Sequence, residues 1–193
     1  MLYSLIRASG RFKWAAYAGL PFMVLGTALL IPFRTPNTRV GLLVMTQIFV
    51  GLGSGLFAAC GQLAVMAPVT HQEIAVVIAI WGMFGSIGAA IGLAIAGAIW
   101  NNVFPEQLYQ RLPEQSKDMA SLIFGDITEQ MKYADGTPER DAIVGAYGDV
   151  QRKLVIAGAA FMPLIFASIF IWRNINVKKL EDEKGNQTKG NVF

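Results

Sequence analysis

The chain holds one cysteine, Cys60, and one histidine, His71, in 193 residues. A lone cysteine closes no internal disulfide, and its position in the middle of an apolar run leaves the redox compartment unreadable. Two such ligands far apart form no His/Cys metal cluster. Charge is scarce as well: 15% of residues are Asp, Glu, Lys or Arg, against about 25% in ordinary soluble domains. The net charge of +3 is small, with no basic patch interleaved with aromatics, so nucleic acid is not an expected partner. There is no nucleophile elbow, phosphate loop or HExxH pattern. The GLGSG of residues 51–55 matches a dinucleotide fingerprint only loosely and lies inside an apolar run, so it carries no weight. An enzyme is therefore the least expected reading, and neither a cofactor nor a metal is expected.

What the sequence does have is long apolar stretches. Residues 14–33, 40–67, 74–100 and 154–172 contain no Asp, Glu, Lys or Arg. A bilayer crossing takes about 20 apolar residues, so the fold class is all-α: a polytopic membrane protein with four transmembrane helices and a long extracellular loop containing short helices. Pro21 should kink the first span, Pro32 marks its end, and Pro163 lies near the middle of the fourth. The third is longer than a perpendicular crossing needs, which predicts tilt. Met1–Ile6 is too short for a signal peptide and is followed at once by Arg7, Arg11 and Lys13.

Residues 51–100 are the organising stretch. Gly51 and Gly55 are four apart, and Gly85, Gly88, Ala89, Gly92 and Ala96 recur at three- and four-residue steps. Small residues at this spacing let membrane helices approach and pack by dispersion. Between the two arms lies a polar break, residues 68–73, in which Thr70-His71-Gln72-Glu73 has the S/T-x-x-E form of a capping box. Glu73 is thereby explained as a cap, with His71 exposed at the first helical position. The sharper alternative makes His71 or Glu73 a proton carrier.

Lys and Arg next to the membrane set orientation. Arg7, Arg11, Lys13, Arg173, Lys178 and Lys179 flank the terminal spans, whereas residues 101–153 carry nine acids against six bases. Both termini are expected in the cytoplasm, as a basic lead (1–13) and a disordered tail (173–193), with 101–153 outside. The Arg34 and Arg39 of the RTPNTR turn run against this. In the outer loop Met119, Leu122, Ile123, Ile127 and Met131 have helical spacing, which predicts one amphipathic helix over 116–132. Thr137-Pro138-Glu139 reads as N-cap, first-turn proline and first-turn acid. The period then continues through Ala142, Ile143, Ala146, Tyr147 and Val150 into the fourth span. A loop of this length with its own helices is usually functional, the plain alternative being a lid without ligand contact. Polar groups inside the spans are few. Gln47, Ser54 and Gln62, with Thr46, either line a cavity or make interhelical hydrogen bonds; Ser86 and Ser168 are the others.

Four stretches resemble the C-terminal end of fungal siderophore–iron transporters of the major facilitator superfamily. They are RASGRFKWAAYAGLPFMVLGTALLI (7–31), QLAVMAPVTHQE (62–73), IGAAIGLAIAGAIWNNVFPEQL (87–108) and GAYGDVQRKL (145–154). The GAIW followed by N-x-x-P-x-x-L is the most specific. The resemblance implies proton-coupled symport of ferric hydroxamate siderophores across the plasma membrane, endosomal vesicles being a second location. It makes these spans the last four helices of such a transporter, with the second lining its cavity. It further implies that the long loop handles siderophore through an aromatic: Tyr147 first, then Tyr133 and Phe124. A facilitator needs two halves rocking about a midplane site, so the chain resembles a fragment, inactive alone, whose partners are the missing N-terminal helices. The rival readings are a fragment of a multidrug–proton antiporter of the same superfamily and a free-standing four-span structural protein.

Overall fold

The computed structural model describes residues 12–70, 72–172, 174 and 176. His71, most of the basic lead and most of the tail lie outside the described residues. The chain is all-α. Its elements are α1 (Phe12–Phe33), α2 (Val40–Met66), α3 (Ile74–Arg111), a 3-10 helix (Glu114–Met119), α4 (Ala120–Gly125), α5 (Ile127–Met131), α6 (Pro138–Ala160) and α7 (Met162–Ile171). Among the described residues four stretches are long and apolar enough to cross a membrane: Lys13–Phe33, Val40–Met66, Ile74–Arg111 and Pro138–Ile171.

The helix ends follow local chemistry. The Thr70 N–H and hydroxyl both donate to Glu73 Oε2, at 3.0 and 2.8 Å. Half of the expected capping box is therefore present, with the Thr70 hydroxyl turned to the carboxylate as a donor. Thr137 Oγ1 accepts from the Arg140 N–H at 3.3 Å, Pro138 opens α6, and Glu139 and Asp141 fill its first turn, where acids complement the helix dipole. Gly136 takes φ +89° immediately before this cap, a conformation that costs glycine nothing.

Two expectations are corrected. First, α3 does not stop at 100 but runs to Arg111, giving 38 residues, about 57 Å at 1.5 Å each. The polar Asn101 and Asn102 end an apolar run, not a helix: Asn102 Nδ2 donates to the Ala98 carbonyl at 2.7 Å, Gln110 to Glu106 at 3.1 Å, and the helix absorbs Pro105. Second, residues 116–132 are not one amphipathic helix. Asp126 is extended (φ −132°, ψ 115°), and its carboxylate accepts from the Thr128 N–H at 2.8 Å and hydroxyl at 2.6 Å. That N-cap starts α5 afresh, and Met119, Leu122, Ile127 and Met131 are left exposed while Ile123 is buried. The last span breaks beside the proline that the sequence places near its middle: α6 ends at Ala160 and α7 begins at Met162, because Pro163 has no N–H for the ladder.

The described residues group into two compact units. The first contains the described residues up to Thr27, Met45–Ile87 and those from Phe161 onward. In it α1 meets α2 through glycine. Gly53 is buried, and a Cβ there would lie 2.5 Å from the Met23 nitrogen; one on Gly26 would lie 2.8 Å from the Val50 nitrogen. Ala15, Ala16 and Cys60 form a small core with Ala64 and Trp172. Lys13, read from sequence as part of the lead, sits within α1, and its Nζ donates to the Trp172 carbonyl at 2.8 Å. A cation there complements the carbonyl end of α7.

The second unit contains Ala28–Val44 and Gly88–Ala160. Its core is Phe104, Leu108, Leu112, Ala120, Ile123, Ala142, Ile143, Ala146 and Val150. The period expected for α6 is thus the buried face of that helix. The RTPNTR turn packs here too: a Cβ on Gly148 would lie 2.9 Å from Pro36 Cδ.

Candidate functional site

The second unit carries the loop aromatics. Tyr147 is half-buried on α6, its ring 4.5 Å from that of Phe104 and 5.5 Å from that of Trp100, centroid to centroid. Its hydroxyl donates to Gln130 Oε1 at 2.8 Å. Phe124 lies 5.7 Å from Phe104, and Tyr133 packs against the same core. The structure therefore brings Tyr147, Tyr133 and Phe124 to one core, with none of the three fully exposed.

Gln130 joins the loop pieces and was not legible from sequence. It is 5% exposed. Its Nε2 donates to the Ile123 carbonyl at 2.6 Å, its Oε1 accepts from Tyr147, and its backbone carbonyl accepts from Arg140 Nη1 at 3.2 Å. Arg140 Nε reaches Asp135 at 3.2 Å. A buried amide so satisfied rigidifies its surroundings. Arg111 closes the far side of the loop, with Nε and Nη2 donating to Asp149 Oδ2 at 2.9 and 2.6 Å. The missing side chain of Gly145 lets it pass, since a Cβ there would sit 2.8 Å from Arg111 Nη1. Ser116 donates to Glu139 at 3.0 Å.

Three loop groups titrate away from their ordinary values. The Thr128 hydroxyl, then its N–H, hold the Asp126 carboxyl below the usual range. The Glu114 hydrogen bond raises Lys117, and Glu129 raises Lys132. All three shifts belong to local caps and i,i+3 pairs. Among the described residues no group of three or more His, Cys, Asp or Glu is placed to hold a metal ion.

The in-span candidates lie elsewhere. Gln47, Ser54 and Gln62 are exposed on α2, seven and eight residues apart, so each step is about two turns at 3.6 residues per turn. Ser54 also donates to the Gly51 carbonyl at 3.4 Å. Thr46 is buried. Among the described residues, the glycines singled out from spacing, Gly51, Gly55, Gly85, Gly88 and Gly92, have no atom from beyond their own helix turn within 4 Å of where a Cβ would sit. In α1 and α2 the close glycine contacts are made instead by Gly19, Gly26, Gly53 and Gly61, which spacing alone did not distinguish.

A family model described as "PUCC protein" matches residues 3–110. The chain is 69% identical over 185 residues to an MFS siderochrome iron transporter 1 of Ajellomyces capsulatus, covering 96% of this chain and 33% of that protein. It is 43% identical to the MFS siderochrome iron transporter B of Aspergillus fumigatus, over 94% of this chain and 30% of the relative. It is 41% identical to the siderophore iron transporter mirB of Emericella nidulans, over 97% and 30%. The chain thus spans about a third of the length of these curated relatives. No solved structure matches.

Proposed function

Because this chain belongs to the PUCC protein family and is similar over nearly its whole length to a third of MFS siderochrome iron transporters, we propose that it is the part of a proton-coupled ferric-siderophore importer that supplies four spans and the long outer loop. The observation that carries this reading is the 69% identity across 96% of the chain. The importer sits in the plasma membrane, with residues 101–153 outside and both termini in the cytoplasm, as the flanking Lys and Arg favour.

The exposed faces support the need for further helices. Gln47 and Gln62 are exposed on α2, and an amide facing hydrocarbon without a partner is costly. Residues 78–94 of α3 are exposed throughout. The remaining two-thirds of the transporter would cover these faces, placing Gln47, Ser54 and Gln62 on a shared cavity and Gly88 and Gly92 against another helix. In the loop, Tyr147, with Tyr133 and Phe124 beside it, meets the organic shell of the siderophore: an aromatic ring covers apolar area while a phenol hydroxyl hydrogen-bonds.

The test is a chimera. The matched 185 residues of the Ajellomyces relative are replaced by those of this chain, and uptake of iron-loaded hydroxamate siderophore is measured in cells lacking their own importers. Uptake close to that of the parent is expected. Normal surface expression without uptake refutes the reading.

A further inference from the structure

Gln130 and Tyr147 together fix which way one hydrogen bond points. The Ile123 carbonyl can only accept and lies 2.6 Å from a terminal atom of the Gln130 side chain, so that atom is the amide nitrogen. The other terminal atom is the carbonyl oxygen, which also can only accept, and it lies 2.8 Å from the Tyr147 hydroxyl. A phenol has one hydrogen, and here it points at Gln130. Turning the amide over would set two oxygens against each other at 2.6 Å inside a core where Gln130 is 5% exposed. Arg140 Nη1 donates to the Gln130 backbone carbonyl and so ties that residue's main chain to α6, and Phe104 and Trp100 hold the ring, so the hydroxyl oxygen is fixed in place with only its lone pairs unused.

We infer that Gln130 is a positioning residue that makes Tyr147 an obligate hydrogen-bond acceptor, so that the loop selects an N–H or O–H group of its ligand and not a carbonyl. This rests on the reading above that the loop meets a ferric siderophore. In a ferric trihydroxamate the oxygens on the metal are all acceptors. The donors are the secondary amides of the backbone that links the hydroxamates. Tyr147 therefore reads that backbone and distinguishes siderophores by their amide N–H groups.

The test uses the full chain in lipid nanodiscs and two probes: a ferric trihydroxamate cyclic peptide with free backbone N–H groups, and its N-methylated counterpart. Binding is measured by calorimetry against empty nanodiscs. The N–H form should bind about three- to tenfold tighter, the range one neutral hydrogen bond supplies. Tyr147→Phe keeps the ring in its cage and should bind both probes alike. Gln130→Met keeps length and volume but frees the phenol hydrogen to meet a carbonyl, so it too should lose the preference, while circular dichroism checks that the helices persist. A preference that survives in Tyr147→Phe overturns the inference. Equal binding of both probes by the wild-type chain overturns it and leaves the ligand reading standing. Failure of both probes to bind overturns the inference together with the reading that the loop meets the ligand.

Discussion

Replacing Gly53 by alanine would place a methyl carbon 2.5 Å from the Met23 nitrogen, 2.6 Å from the Met23 Cβ and 2.7 Å from the Gly19 carbonyl oxygen. Ordinary contact begins at 3.4 Å, so relief needs a shift of 3.4 − 2.5 = 0.9 Å. Two of the three atoms are backbone and cannot rotate away, so α1 and α2 must part. A radial gap of about 0.5–1 Å forfeits roughly a quarter to a half of each dispersion contact across the interface, and overpacking generally costs about 1–3 kcal/mol. Gly51, two residues away on the same helix, has open space around it. Gly51→Ala should be neutral, or stabilising by up to about 1 kcal/mol from helix propensity. The pair cancels detergent and propensity effects and leaves the overpacking cost, a difference of about 1–3 kcal/mol. Unfolding of both variants in mixed micelles, monitored by far-UV circular dichroism, measures it. Equal stabilities would refute the claim that α1 and α2 meet at Gly53.

Purified chain in liposomes under a proton gradient should take up no iron-loaded siderophore, since the apolar runs 14–33, 40–67, 74–100 and 154–172 hold no carboxylate to carry the proton; measurable uptake would contradict this. Single cysteines at Ser116 and Thr188, in a Cys60→Ala background, should be labelled by an impermeant reagent on intact cells only at Ser116, and the reverse pattern would invert the topology. The folded Asp126 carboxyl titrates below its ordinary value. Its contribution to the α5 cap is therefore present above the unfolded pKa of about 3.9 and is lost as pH falls through the lower folded value. The stability difference between the chain and Asp126→Asn should be constant near neutrality and shrink as pH falls through that acid range, and a difference that persists unchanged into acid would rule out the carboxylate as its source. Gly92→Leu should leave the stability of the isolated chain unchanged, because no described atom from beyond its own helix turn lies within 4 Å of a Cβ there, and should lower it in the full chimera if another helix packs there.

Several features were legible from sequence because their physics is local. Apolar runs without charge mark the spans, Glu73 reaches back to the Thr70 N–H, and Thr137 with Pro138 opens α6. Each depends on residues within about one helical turn. The run of α3 past Trp100 was hidden because polarity marks where an apolar stretch ends, and the backbone ladder is indifferent to it. The break at Asp126 was hidden because the apolar period passes through it unaltered, while a single carboxylate accepting from Thr128 redirects the backbone.

Partner choice belonged to the tertiary structure. Gly51 and Gly53 look alike in sequence, yet only Gly53 lies against Met23, because rotation about the helix axis decides which small residue faces a neighbour. Gln130 looks like any polar loop residue, yet it is buried between Ile123, Arg140 and Tyr147. It holds the loop because a buried amide must satisfy both its donor and its acceptor, and only the meeting of α4 and α6 around α5 supplies both at once.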